Sequence, residues 1–233
     1  MANAERLHDI RFPSESAEYR TARDELLKAE MDLRRRIESV AALRRKLPLG
    51  GRPPQDYVFS EGGADGSTRP VRLSELFLPG KDTLLLYSFM YGPEMAKACP
   101  SCTSILDALD GEMPHLLPRA GVAVIAKSPL PRIKAHAKSR GWRKLRLLSS
   151  EGNTYNRDYH GEDEAGDQTP ALNVFVRRGG EVRHFYCTEL MFAPSEPGQD
   201  PRHVDSIWPL WNVLDYTPEG REDWHPKLSY ESV

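Results

Sequence analysis

The sequence lacks any apolar run of the roughly 18 residues that cross a membrane, and its longest such runs, 84–90 and 122–126, have strand length. Its charges nearly cancel, with 32 Lys and Arg against 34 Asp and Glu, so we expect no nucleic acid or membrane partner. Residues 1–14 hold no apolar segment typical of a secretory signal, which favours a cytoplasmic location. Only three residues are cysteines, too few for a disulfide framework.

A long helix is predicted at the start of the chain. Apolar residues recur every three or four positions over 19–47, between faces rich in Arg and Glu, and Ser14 or Ser16 can cap the helix. We therefore divide the chain into an N-terminal helical extension over 14–48 and a main domain over 50–233. The narrow apolar stripe suits packing across the chain's own domain, or a homodimer formed through this helix.

After residue 50 the pattern alternates between strands and helices. Strands are predicted at 56–59, 71–77 (turning helical at 73), 83–90, 122–127, 145–149, 171–176 and 181–187, and helices at 99–115, 130–140 and 204–214. A Gly-rich turn is predicted at 61–66 and a Pro-rich loop at 192–202. A βαβ unit followed by a hairpin and a helix is the thioredoxin arrangement, so we expect an α/β fold with a mixed sheet flanked by helices.

Two of the three cysteines form the motif Cys99-Pro100-Ser101-Cys102, between a predicted buried strand and a helix. At a helix N-terminus the unpaired N–H groups and the positive dipole stabilise a thiolate, and Pro100 suits the first helical position. Cys102 lies on the same helical face and can displace the product from a mixed disulfide. The sequence therefore predicts a thiol-disulfide oxidoreductase with Cys99 as nucleophile and Cys102 as resolving thiol, without a metal or cofactor.

A second segment of interest is Thr169-Pro170, which opens the first strand of the predicted hairpin. In thioredoxin-like folds a cis-proline at this place lies beside the dithiol and leaves backbone free to pair with a substrate chain. We therefore expect Pro170 to be cis, and Thr169, Pro170, Pro100 and Ser101 to meet the substrate. The alternative is an ordinary proline at the start of a strand.

Two further functions compete with redox chemistry. His184 and Cys187 could complete a Cys₃His zinc site with the CPSC pair, although residues three apart in a strand should point to opposite faces. The protein could also be a redox-inert thioredoxin-fold interaction module that acts through its N-terminal helix. His115, at the far end of the predicted CPSC helix, and Cys187 are more simply structural.

Nearly the whole chain resembles the bacterial domain-of-unknown-function 899 family. The resemblance lies in YVF at 57–59, LF at 76–77, LYSFMYGP at 86–93, CPSC at 99–102, MPHL at 113–116, GW at 141–142, residues 192–205 and LDYTPEGR at 214–221. Members are thioredoxin-like and are described as predicted dithiol-disulfide oxidoreductases, which implies that Cys99 and Cys102 are the redox pair and Pro170 the site proline. A peroxiredoxin would carry P-x-x-x-T-x-x-C, but Gly92 and Ala96 replace its Pro and Thr, so direct peroxide reduction is disfavoured.

Overall fold

The structure, a computed structural model, describes residues 7–63, 66–197 and 204–230. The chain divides into two compact units, Met1–Pro48 and Leu49–Val233. Parts of the predicted turn at 61–66 and of the predicted loop at 192–202 lie outside the described residues.

The N-terminal unit is built on one long helix, α1 (Ala17–Arg45). Its N-cap is Ser16, whose hydroxyl oxygen accepts the backbone N–H of Tyr19 at 3.0 Å, while Ser14 lies before the cap with a φ of 60°. No residue of α1 is buried. The helix therefore presents an apolar stripe that its own unit does not cover.

The second unit contains a mixed sheet of seven strands in the described part of the chain, in the order β2-β1-β5-β4-β3-β6-β7. The strands are β1 (Val58–Gly62), β2 (Thr68–Arg72), β3 (Thr83–Ser88), β4 (Gly121–Ala126), β5 (Leu147–Ser149), β6 (Ala171–Arg178) and β7 (Glu181–Cys187). The helices are α2 (Pro100–Leu116), α3 (Leu130–Arg140), α4 (Tyr155–Asp158) and α5 (Pro209–Leu214). Single 3₁₀ turns lie at Leu73–Glu75, Glu189–Met191 and Asp205–Ile207.

The strand pairing confirms the predicted fold class. β3 and β4 are parallel and joined by α2, β6 is antiparallel to β3, and β7 is antiparallel to β6. These four strands stand in the order β7-β6-β3-β4, which is the thioredoxin arrangement. β5 extends the sheet in parallel beyond β4, and β1 and β2 add an antiparallel edge.

Alternation along β3 divides the core between the two faces of the sheet. Leu84 and Leu86 belong to one buried cluster, which also holds Phe175 and is called here the far-side core. Tyr87 and residues of α2, α3 and α5 form the other cluster, called the dithiol-side core because it contains Cys102.

A carboxylate on α2 fixes the chain between α3 and β5. The Oδ1 atom of Asp110 accepts the backbone N–H groups of Arg143 at 3.0 Å, Lys144 at 2.8 Å and Leu145 at 3.0 Å. One side chain thus satisfies three consecutive loop donors that would otherwise need water.

The last helix is shorter than predicted. The pattern over 204–214 predicts one helix that Pro209 perturbs, and the structure has a 3₁₀ turn followed by the six residues of α5. Trp208, with φ of −117° and ψ of 82°, separates them, because the residue before a proline avoids the helical region. Pro209 then occupies the first position of α5.

Candidate active site

The CPSC motif lies where the chain returns to the end of β3. Residues 91–98, called here the approach loop, leave the strand, and the Cys99 N–H then donates to the carbonyl oxygen of Met90 at 3.1 Å. Cys99 is the N-cap residue of α2, and Pro100 is its first helical residue. The structure therefore places the first cysteine at a helix N-terminus beside the carboxyl end of a central strand, as the sequence predicts.

The surroundings of the half-buried Cys99 sulfur favour its thiolate form. The sulfur accepts the Cys102 N–H at 3.4 Å, so it satisfies a helix donor that lacks a partner within the helix. The pKa of Cys99 is lowered to about 6, chiefly by a hydrogen bond with the Cys102 thiol. Burial opposes this effect, and the backbone of Cys102 and the backbone and hydroxyl of Ser101 add to it.

The pKa of Cys102 is raised rather than lowered. The Cys102 side chain is 1 % exposed, and burial, followed by the neighbouring Cys99, raises its pKa well above the ordinary range. The nearby Tyr87 hydroxyl and the Met90 backbone lower this pKa and so partly oppose that rise. Both cysteines are free thiols in the structure, so the pair combines one thiol that ionises readily with a second, buried thiol that favours its protonated form.

Arg132 of α3 holds the approach loop in place. Its guanidinium donates to the carbonyl oxygens of Gly92 and Pro93, each at 3.1 Å, and also to that of Met95. It also lies over the ring of Tyr91, 4.3 Å from the ring centroid. These contacts satisfy the carbonyl groups of Pro93 and Met95 and add to the hydrogen bond that Gly92 accepts from the Ser128 hydroxyl.

A polar contact ties the first turn of α2 to α3. The Thr103 hydroxyl donates to the carbonyl oxygen of Cys99 at 2.9 Å and lies 3.1 Å from Nε2 of His136. Burial, followed by the charge of Arg140, lowers the pKa of His136. Because the single hydroxyl proton of Thr103 is directed at the Cys99 carbonyl, the Nε2–H group of a neutral His136 donates to the Thr103 oxygen, and this contact adds no cation beside the dithiol.

Pro170 lies at the same sheet edge, but it is not cis. No peptide bond in the described residues is cis, so the predicted cis Thr169–Pro170 bond is wrong. Thr169 donates its N–H to the carbonyl oxygen of Gly161 at 3.0 Å, and β6 begins at Ala171. The trans isomer of the bond between Thr169 and Pro170, which is favoured by about 0.5–1 kcal/mol, is compatible with this course of the chain.

The register nevertheless brings the segment before β6 towards the dithiol. Ala171 pairs with Ser88, the last residue of β3, so Pro170 lies at the end of the sheet from which the chain leads to Cys99. A Cβ on Gly92 of the approach loop would lie 2.9 Å from the Gln168 side chain, so the two segments are in close contact. Pro170 is buried and Thr169 is half-buried.

The remaining predicted site residues lie on the helix. Pro100 is exposed and Ser101 is half-buried, so the CPSC turn is open to a large partner at these two residues. His115 is exposed in the last turn of α2, a full helix length from the dithiol.

The prediction that His184 and Cys187 point to opposite faces is wrong. β6 and β7 shift register between Val174 and Phe175, so His184 pairs with Phe175 while Cys187 pairs with Asn173. The β-bulge inserts one extra residue into β7, which places the side chains of His184 and Cys187 on the same face of the sheet.

That face is not the face of the dithiol. His184 contacts the rings of Phe175, at 5.2 Å between centroids, and Tyr159, at 5.3 Å, and its Nε2 lies 3.0 Å from Oδ1 of Asn173. These neighbours surround the far-side core, whereas Cys102 belongs to the dithiol-side core. Within 7–63, 66–197 and 204–230 no three His, Cys, Asp or Glu side chains gather as metal ligands would. The sheet therefore separates the four residues of the hypothetical zinc set.

Two residues that shape the site, Thr103 and Arg132, are not among those that the sequence predicts, whereas Tyr87 is a candidate to line the substrate surface or, more simply, a core aromatic. The apolar run that contains Tyr87 indicates only a buried strand, and the amphipathic pattern around Arg132 indicates only a surface helix. Which of these polar groups meets the dithiol depends on how α2 and α3 pack on the sheet. The one usable signal was Thr103, a hydroxyl that follows the CPSC motif directly.

A family model described as bacterial protein of unknown function (DUF899) matches residues 10–231. The chain belongs to this family. The match spans α1, the sheet and the CPSC motif of this DUF899 member. A search of the curated proteins found no match.

Solved structures similar to this DUF899 member are peroxiredoxin- and thioredoxin-type proteins. The reduced 2-Cys peroxiredoxin of Plasmodium vivax is 18% identical, with a TM-score of 0.45 and coverage of 72% of this chain and 96% of that one. Thioredoxin peroxidase I of Plasmodium yoelii is 20% identical, with a TM-score of 0.45 and coverage of 79% and 100%. The exposed lipoprotein thioredoxin Etrx1 of Streptococcus pneumoniae is 15% identical, with a TM-score of 0.40 and coverage of 66% and 98%.

Proposed function

We propose that the protein is a thiol-disulfide oxidoreductase in which Cys99 attacks a disulfide and Cys102 resolves the mixed disulfide. The observation that carries the proposal is the contrast between the two thiols. Cys99, at the N-terminus of α2, has a pKa of about 6, whereas the pKa of the buried Cys102 is raised. At neutral pH about nine tenths of Cys99 is then thiolate, against a few per cent for an ordinary cysteine.

The reaction takes place in two exchanges. The Cys99 thiolate attacks one sulfur of the substrate disulfide, a bond forms to that sulfur, and the other sulfur leaves with the bonding electron pair and takes up a proton. Cys102 then loses its proton and attacks Cys99, which releases the second substrate thiol and leaves a Cys99–Cys102 disulfide. The protein loses two electrons, and the substrate disulfide becomes two thiols.

The substrate side of the site is the turn Pro100-Ser101 together with Thr169 and Pro170. Pro100 is exposed, and Thr169 lies in the segment that contacts the approach loop through Gln168. None of the helices in the described part of the chain has the length and apolar character to cross a membrane. We place the reaction in the cytoplasm, where thiols are kept reduced, with a disulfide as the partner and no cofactor.

The first prediction concerns the pH dependence of Cys99 alkylation. The rate of its reaction with iodoacetamide should follow the thiolate fraction and rise about tenfold between pH 5 and pH 7, with a midpoint of about 6. The wild-type chain should be used, with modified sites located by peptide mass spectrometry, because Cys102 itself contributes the largest part of the lowered pKa.

Two internal controls belong to this measurement. Cys187 should stay unreactive over the same range, because burial and Glu189 raise its pKa to about 11. Glutathione alkylated in parallel gives the behaviour of an ordinary thiol. A Cys99 rate that continues to climb between pH 7 and pH 9, as for glutathione, would contradict the proposed nucleophile and favour a redox-inert interaction module.

A further inference from the structure

The buried hydroxyl of Tyr87 lies on the same side of the sheet as the dithiol. Tyr87, the next-to-last residue of β3, is 0 % exposed and belongs to the same core cluster as Cys102. Its neighbours across the sheet are Val124 and Leu172, whose side chains offer no polar group. The ionisable groups that act on this phenol are instead those of Cys99 and Cys102, at the start of α2.

Within the described part of the chain, the Tyr87 hydroxyl makes no well-formed hydrogen bond. The ionisable groups that act on it are the thiol of Cys102, which also approaches it as a hydrogen-bonding partner, and that of Cys99. A neutral thiol is a weak acceptor, whereas a thiolate is a strong one. A buried hydroxyl without a good partner costs free energy, so this donor is well placed for a state in which Cys102 is charged.

That state occurs in the resolving step, so the inference rests on the function proposed above. Cys102 must ionise inside a core that disfavours its charge, and burial is the largest cause of its raised pKa. We infer that the Tyr87 hydroxyl donates a hydrogen bond to the Cys102 sulfur as it becomes a thiolate, and so accelerates its attack on Cys99. The hydroxyl keeps its own proton, and the Cys102 proton leaves with the released substrate thiol.

The test is a stopped-flow reaction with an aromatic disulfide that releases one coloured thiolate at each exchange. The first release reports attack by Cys99, and the second reports resolution by Cys102. In Tyr87→Phe the first rate should stay within about twofold. The second should fall about tenfold to a hundredfold, the range expected for a hydrogen bond to a charged group, and its pH profile should shift upwards.

Tyr155→Phe is the matched control. Tyr155 is also 0 % exposed, and its hydroxyl likewise lacks a well-formed hydrogen bond within the described residues, but it lies in the far-side core. Both releases should match wild type in this variant. An unchanged second release in Tyr87→Phe overturns the role of Tyr87, whereas a wild-type chain that shows no first release overturns the proposed function. Loss of the first release in Tyr87→Phe alone would indicate a misfolded site and also overturn the inference.

A second and independent inference concerns α1. Large apolar side chains along its stripe stay exposed, among them Leu26 (47 %), Leu33 (60 %) and Ile37 (58 %). The helix is also divided by charge: residues 16–32 hold five acidic and three basic side chains, and residues 33–46 hold six basic and one acidic. The macrodipole favours this bias only in the terminal turns, whereas Arg34, Arg35 and Arg36 lie in the middle of the helix.

We propose that α1 pairs antiparallel with α1 of a second copy of this chain. Antiparallel pairing places the acidic half of each helix against the basic half of the other, while the apolar stripes meet between them. Parallel pairing would place like charges together. If the apolar stripe of α1 is instead covered by the chain's own second unit, the protein is a monomer.

Charge-reversal variants of the full chain test the arrangement by sedimentation equilibrium. Glu30→Arg/Asp32→Arg and Arg34→Glu/Arg36→Glu should each weaken the wild-type dimer at least about tenfold, since like charges then face each other. An equimolar mixture should recover wild-type affinity as a heterodimer, which also shows that both variants fold. A wild-type monomer, or variants that dimerise as tightly as wild type, would overturn the proposal.

Discussion

Replacing Cys99 by serine is expected to lower the rate of disulfide reduction by roughly a thousandfold or more, because a neutral hydroxyl cannot replace a thiolate as the attacking group. Cys102→Ser should behave differently. At pH 9, where Cys99 ionises without help from its neighbour, this variant should form the mixed disulfide in stoichiometric amount and hold it. Intact mass spectrometry after mixing with a small disulfide measures both results.

Cys187→Ser is the matched control for these two variants. Cys187 is a free thiol too, but it lies on the far side of the sheet and should be dispensable. A Cys99→Ser protein that still reduces disulfides would refute Cys99 as the nucleophile. A mixed disulfide found on Cys102 in wild type would reverse the assigned roles.

The largest effect expected on stability is at Asp110. Asp110→Ala should lower the free energy of unfolding by about 2–3 kcal/mol, because three backbone N–H groups lose a charged acceptor and only water replaces it. For a chain of this size the shift in Tm is roughly 4–12 °C. Thermal denaturation followed by circular dichroism measures the change.

Two further substitutions serve as controls for the loss of stability expected in Asp110→Ala. Asp110→Asn keeps a side-chain carbonyl oxygen, so it should lose less than half as much stability. Glu112→Ala removes an exposed acidic side chain from the same helix and should change stability by no more than about 0.5 kcal/mol. If Asp110→Ala were as mild as Glu112→Ala, the three loop hydrogen bonds would not be significant for stability.

The elements that the sequence predicts best have local chemical signals at their ends. α3 agrees with its predicted bounds because Gly141 adopts a φ of 77° after it, a conformation that glycine adopts without strain. The start of α2 is set by the N-cap residue Cys99 and by Pro100 at the first helical position. These signals depend on a few neighbouring residues, so no tertiary information is needed to interpret them.

Features that depend on distant parts of the chain were mispredicted or missed. The bulge in β7 changes which face His184 and Cys187 share, and periodicity alone contains no sign of it. The trans bond at Pro170 and the position of Tyr87 behind Cys102 depend on how loops and helices pack on the sheet. The sequence therefore predicts which residues could react, but not which groups surround them.

The hydrogen bond from the Cys99 N–H to the Met90 carbonyl oxygen closes the approach loop at its base. Since the chain returns to the end of β3 before α2 begins, the position of Cys99 is set by this hydrogen bond rather than by the length of residues 91–98. A shorter or longer segment over 94–98 should therefore leave Cys99 in its place at the N-terminus of α2.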